Sequence, residues 1–531
     1  MLAPSPVWGS VVGPAILALT LFAQQPSTSP DPPASERSHV ERFAPRQRLQ
    51  ERAEREATAR LRENPDDVQA LEARALARIQ LNRTNEALED LTRAARLNER
   101  SAYLRAQLAY CLWLRGSLPE ALAAARQALA LDADNFSARY YAGRLSLLTA
   151  TSDADVDAAI EHLQRAIELN PEEVDIRFDL LNAYRRRGDL VRAGVQLRLL
   201  RAAYPPNYPR VLYTEGLLAT DLGQLSTGID RFRQALLADP ALAAARRDLG
   251  IALIQSERWQ EALEVLEPLT RDHPQAFTAA YFHALALQNL QRLPEAEEET
   301  RRAVALDPRS ADAHTLLGII LAGRGAHAEA VASLEQATKL DSQSFDAWFY
   351  LGRARYALRD FSGARDALHT AVQFRPEDAE AHFFLATALE VLGEKDAAIA
   401  EYRALIGLRP EDARGHAGLG NLLARYGRSE EAIPALQRAR ELDPANFEAA
   451  LALGRMLARR QQWEQAVTLL REAVARVPES AEAHYQLGLA LRRTGHAQDA
   501  AQQFTIVERL NRKFRSRGAG MESLTPTSQR P

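Results

Sequence analysis

Residues 379–412 read AEAHFFLATALEVLGEKDAAIAEYRALIGLRPED, and residues 413–446 read ARGHAGLGNLLARYGRSEEAIPALQRARELDPAN. Laid one under the other, the two 34-residue stretches share a small residue at the eighth place, Ala386 and Gly420, and at the twentieth, Ala398 and Ala432. Between these places stand the tripeptides Leu392-Gly393-Glu394 and Tyr426-Gly427-Arg428, whose glycine can end a first helix in a left-handed cap. Each stretch then nears its end on a proline, Pro410 or Pro444, that separates one hairpin from the next. Glycine inside a helix costs about 1 kcal/mol relative to alanine, so its return at one phase signals a close approach of two helices.

The same phase runs through most of the chain. Closing marks fall at Pro240, Pro274, Pro308, Ser342, Pro376, Pro410, Pro444, Pro478 and Arg512, each 34 residues after the last. Upstream the spacing links Pro65, Glu99 and Ala133, then Pro171 and Pro205, with four extra residues before 171 and one before 240. Hairpins are therefore expected to start at 68, 102, 136, 174, 209, 243, 277, 311, 345, 379, 413, 447 and 481. The eighth place is Gly or Ala in twelve of these thirteen units, Leu181 being the exception, and the twentieth is small in every one.

Composition agrees with packed amphipathic helices: 7% aromatic residues, 26% charged, and an abundance of Ala, Leu, Arg and Glu predict an all-α chain. The 66 basic and 70 acidic side chains nearly cancel without long blocks of one sign, so the field that draws nucleic acid is missing. The single cysteine, Cys111, excludes an intramolecular disulfide and a cysteine-based metal site and reads as a buried, inert thiol.

The ends read differently. Residues 1–23 carry the apolar run Val11–Ala23, short for a membrane span and suited to a signal peptide cleaved after Ala23. No Lys or Arg precedes Arg37, which leaves an N-terminal membrane anchor as the alternative. Residues 24–40 form a Pro/Ser-rich linker, residues 41–67 a charged capping helix, residues 68–514 the tandem array, and residues 515–531 a tail expected to be disordered. The expected location is periplasmic or secreted.

The 34-residue period, the small residues at places eight and twenty and the closing proline together resemble the tetratricopeptide repeat (TPR) family. Place four, often Trp in that family, is Trp only at Trp348, and the aromatic of place 24 survives as Phe232, Tyr402 and Phe504. The resemblance implies a right-handed all-α solenoid, or superhelix, of about thirteen helix–turn–helix repeats. It also implies that places 2, 5, 9 and 12 of the first helices face a concave groove that holds a protein or peptide partner.

On that basis the candidate partner-binding residues are Tyr140, Arg144, Phe178, Asn182, Arg185, Tyr213, Arg247, Tyr281, Phe349, Arg353, Phe383, Asn421, Arg455 and Tyr485. Tyr and Arg are common interface anchors, and the same rings could instead fill the space between hairpins. The carboxylate clamp of some family members is not expected, because place five near Asn182 and Asn421 is aromatic or apolar.

No nucleotide-binding loop, nucleophile elbow or HExxH helix occurs, so no enzyme activity and no cofactor are expected. His314, His382, His416 and His484 all occupy place four, too far apart to converge on one metal ion, and read as substitutes for the family's aromatic. The insertion Thr149–Asp155, which lengthens the inter-helix turn of the third unit, lacks the Asp/Asn spacing and terminal Glu of a calcium loop and reads as a solvated, helix-capping turn. The leading expectation is an envelope scaffold that binds protein partners. The alternatives are a self-associating structural spacer and an accessory of polysaccharide synthesis or export.

Overall fold

The residue ahead of each first helix decides where that helix begins. Asp67, Ser101, Asn135, Ser310, Ser344, Asp378, Asn446 and Ser480 each turn a side-chain oxygen onto the backbone N–H three residues on, at 2.9–3.3 Å. Such a cap satisfies one of the free donors of the first turn and contributes about 1 kcal/mol. The computed structural model describes residues 40–522, and the expected signal peptide or anchor, the linker up to residue 39 and the tail beyond residue 522 lie outside the described residues.

Among the described residues the chain forms 27 α-helices and no strand. The first, Val40–Glu63, stands where the charged capping helix is expected. Thirteen hairpins follow, and twelve of their first helices start at the residue that the 34-residue phase assigns, from Val68 and Ala102 to Phe447 and Ala481. The fourth begins at Ile176 instead of 174, because the Arg177 N–H bonds the Val174 carbonyl in a tighter three-residue turn. The last helix, Ala497–Glu522, runs past residue 514, where the array is expected to end. The phase stops there, and no proline interrupts the helix before Pro526.

The hairpins gather into two compact units that divide between Leu306 and Asp307, at a repeat boundary. The first unit holds Val40–Glu63 and hairpins one to seven, the second hairpins eight to thirteen. In both, the core lies between the two helices of each hairpin. A Cβ added to the glycine of place eight would collide with the residue of place 24: Gly143 with Leu163, Gly216 with Phe232, Gly250 with Leu266, Gly352 with Leu368, Gly488 with Phe504. Where place eight is alanine, place 24 is Leu91, Ala125, Thr300 or Tyr402, and the Tyr402 ring leans over Gly418 of the next hairpin. Leu181, the exception at place eight, is fully buried in a cluster with Phe178, Leu197 and Leu200.

The turn between the two helices places its fifteenth residue in the left-handed region in twelve hairpins. Seven of these are glycines, and the other five are Asn82, Glu257, Gln291, Arg359 and Gln461, at φ between 57° and 64°. The third hairpin, with its four extra residues, has no such cap. Ser152 and Asp155 form a reciprocal capping box there, and Asp155 also accepts from the Thr151 N–H at 3.0 Å. These bonds hold the Asp155 carboxyl below its ordinary value. The end of the preceding helix is closed from the next hairpin, where Arg186 donates to the carbonyls of Leu147 and Ala150 at 2.6 Å each. Among the described residues no helix is long and apolar enough to cross a membrane.

Candidate partner-binding faces

In several hairpins place four ties down the start of the first helix. A side-chain N–H there reaches back to the carbonyl of the preceding closing mark: Trp348 to Ser342 at 2.9 Å, His382 to Pro376 at 2.9 Å, His416 to Pro410 at 2.9 Å, His484 to Pro478 at 3.0 Å and His314 to Pro308 at 3.2 Å. Arg139 and Arg246 do the same to Ala133 and Pro240, at 2.7 and 2.8 Å. In these hairpins place four supplies a donor of the right reach, whereas Leu71, Leu212, Ala280 and Ala450 at the same place supply none. Among the described residues no group of three His, Cys, Asp or Glu side chains could hold a metal ion.

With the helices so fixed, the first unit presents a polar-aromatic row across hairpins two, three and four. The Arg144 guanidinium lies 4.5 Å above the Trp113 ring and donates to the Tyr140 hydroxyl at 2.6 Å. That hydroxyl donates in turn to Asp179 at 3.2 Å, and Arg144 stands 3.6 Å from the same carboxylate. Burial, reinforced by the Asp179 charge, pushes the Tyr140 hydroxyl well above its ordinary value, so it stays a donor at all accessible pH.

A tyrosine–aspartate pair of the same register recurs two hairpins on. Tyr213 donates to Asp248 at 2.7 Å, and Arg247 grips that carboxylate at 2.7 and 3.1 Å. The Asp248 charge raises the Arg247 value above that of a free arginine. Arg185 likewise holds Asp221 through two nitrogens and reaches Asn182 at 3.3 Å. Asp179 and Asp248, which complete these networks, both occupy place six of the hairpin after the tyrosine, and that register is the signal by which sequence reasoning could have found them. The Phe178 and Tyr281 rings are 2% and 5% exposed and serve packing between helices, with Arg210 closing over Phe178 at 3.9 Å.

In the second unit the candidates sit on an aromatic cluster. Phe349, 7% exposed, stacks on Phe345 at 5.5 Å and meets Phe384 edge-on at 5.9 Å. Arg353 lies 4.7 Å over Phe384, and burial among the rings holds its value below that of a free arginine. Phe383 is half-buried under Arg414, at 4.7 Å, and Arg414 also pairs with Glu380 at 2.5 Å. Arg455 bonds Glu482 at 2.7 Å, Asn421 is half-buried, and Tyr485 is 46% exposed beside Phe504. The structure thus joins Tyr140 with Arg144, Asn182 with Arg185 and Phe349 with Arg353, while Asn182 belongs to the first unit and Asn421 to the second.

Two tetratricopeptide repeat models match the chain, one over residues 72–138, 213–277, 247–311, 281–345, 316–375 and 349–413, the other over 150–217 and 423–487. The chain belongs to the tetratricopeptide repeat family. Its fold is a scaffold of the kind that engages other proteins. Similar solved structures include the APC/C hetero-tetramer Cut9-Hcn1, at 17% identity and TM-score 0.47, covering 85% of this chain and 95% of that one. YrrB, titled a TPR protein with an unusual peptide-binding site, is 22% identical at TM-score 0.33, covering 35% of this chain and 96% of that one. MamA is 24% identical at TM-score 0.30, covering 30% and 94%. No curated protein matches the chain.

Proposed function

We propose that the protein holds an extended segment of a protein partner on the first-helix faces, after export to the cell envelope. The observation that carries the binding reading is the row Trp113, Arg144, Tyr140 and Asp179, which crosses three consecutive hairpins with its polar atoms held by one another. A surface fixed in this way loses little freedom when a ligand docks, so more of the contact energy appears as affinity. Half-exposed Arg and Tyr anchors on a rigid scaffold supply both ring faces and charge-assisted donors.

The test is a photo-crosslinking residue at exposed Asn182 in the full-length protein, in cells, with and without the Y140A/R144A pair. A discrete adduct that the double variant loses while keeping its melting temperature supports the reading. An adduct unchanged by the double variant refutes it.

Export rests on the apolar run Val11–Ala23 followed by the Pro/Ser-rich stretch. Mass spectrometry of the protein from fractionated cells is expected to find an N-terminus at Gln24 in the envelope fraction. An intact N-terminus in the cytosol would refute export and leave the peptide reading standing.

A further inference from the structure

Every hairpin repeats the same register, so each position can be compared with its twelve equivalents. Places 18, 22 and 26 of the second helix face solvent, and nearly all hairpins fill them with polar residues, alanine or proline: Asn85, Glu89 and Arg93 in the first, Ser226, Asp230 and Gln234 in the fifth, Glu464, Thr468 and Glu472 in the twelfth. The fourth hairpin alone carries three aliphatic side chains there. On the helix Leu190–Ala203, Val191 is 81% exposed, Val195 37% and Leu199 43%, while Ala193, Leu197 and Leu200 face the core. At a rise of about 1.5 Å per residue the exposed stripe spans about 12 Å.

Charge frames the stripe on both sides. Arg192 lies along one edge and Arg198 along the other, and the helix contains no carboxylate. Arg192 pairs with Asp189 at 3.4 Å and lies 5.8 Å from the Tyr184 ring centre, and among the described residues Arg198 has no ion pair. The helix also carries a glycine at its middle, Gly194. The glycines of place eight are pressed by a neighbouring side chain, whereas a Cβ on Gly194 would meet nothing within 4 Å. Gly194 sits on the Arg198 edge, and since among the described residues nothing crowds it, a second backbone can come close there.

We propose that this face docks an acidic amphipathic helix of a protein partner, its apolar residues against Val191, Val195 and Leu199 and its carboxylates against Arg192 and Arg198. Like charges on both edges disfavour a second copy of the same face. A stripe of three side chains beside an open glycine suits a crossing helix better than a bilayer. The site is separate from the first-helix faces and does not depend on what they bind.

The probe is a pair of synthetic helical peptides with one leucine stripe, flanked by Glu in the first and by Lys in the second, titrated against the full-length protein. The Glu peptide is expected to bind at least about tenfold more tightly, V191D/L199D to abolish binding without changing the melting temperature, and R192E/R198E to reverse the preference. Equal binding of both peptides, or of neither, overturns the proposal. So does binding to phosphatidylglycerol vesicles, or a concentration-dependent increase in mass, that V191D/L199D removes while the Glu peptide stays unbound.

Discussion

The Leu368 side chain occupies the place where a Cβ on Gly352 would stand, its Cγ 2.5 Å from that point. G352A therefore overpacks a closed core and is expected to cost about 1–3 kcal/mol in urea unfolding, and L368A about 2–5 kcal/mol for the cavity. The two changes relieve one another, since hairpin two runs on Ala109 and Ala125 at these places. G352A/L368A should cost less than the sum by at least about 0.5 kcal/mol, and strict additivity would show that the two sites do not meet.

Five turns hold a side-chain-bearing residue in the left-handed conformation, at a cost of about 1–2 kcal/mol that glycine partly recovers. R359G and Q461G are each expected to stabilise the second unit by about 0.5 kcal/mol, and G393A to destabilise it by about 1 kcal/mol. Urea midpoints of the three variants give the comparison. A fall in midpoint for both glycine variants would contradict the turn geometry.

His382 faces acceptors at both ring nitrogens, Glu401 at 2.5 Å and the Pro376 carbonyl at 2.9 Å, an arrangement that only the imidazolium satisfies. The bond to Glu401 raises its value above the ordinary one. Because the folded value exceeds the unfolded one of about 6.5, the contribution is complete below that pH and fades as pH rises through the folded value. E401Q should thus lose more stability against the parent protein at about pH 5.5 than at about pH 8.5. An equal loss at both would show that the ring stays neutral.

Arg186 is the only cap seen on the Leu147 and Ala150 carbonyls among the described residues. R186A is expected to cost about 2 kcal/mol, with faster amide exchange confined to the end of the helix Phe136–Thr149. Unchanged exchange there would remove the capping role.

Burial pushes the Cys111 thiol up to about 11, and its Sγ donates to the Thr84 carbonyl at 3.4 Å. At about pH 8 its thiolate fraction is about a hundredfold below that of a free cysteine, so Ellman's reagent should react only as the protein unfolds. Prompt labelling of the native protein would place the thiol at the surface.

Much of this was legible because the repeat is a local pattern. The thirteen hairpins, twelve helix starts and the small places eight and twenty follow from period, caps and composition, each of which acts within a few residues. The left-handed turns at Glu257, Arg359 and Gln461 were not, since those residue types carry no turn signal and the packing of two helices imposes the conformation.

The faces show the same division. Seven aromatic rings share place five, and the sequence alone treats them as equal. The tertiary structure separates them: Phe178, Tyr281 and Phe349 are buried, Tyr140 and Tyr213 are held by aspartates of the following hairpin, and Tyr485 stays 46% exposed. The sequence by itself determined which elements form and how often they repeat, because helix and turn energies are set by near neighbours along the chain. What each ring faces depends on residues about one repeat away, such as Asp179 for Tyr140, and only the stacking of hairpins brings those together.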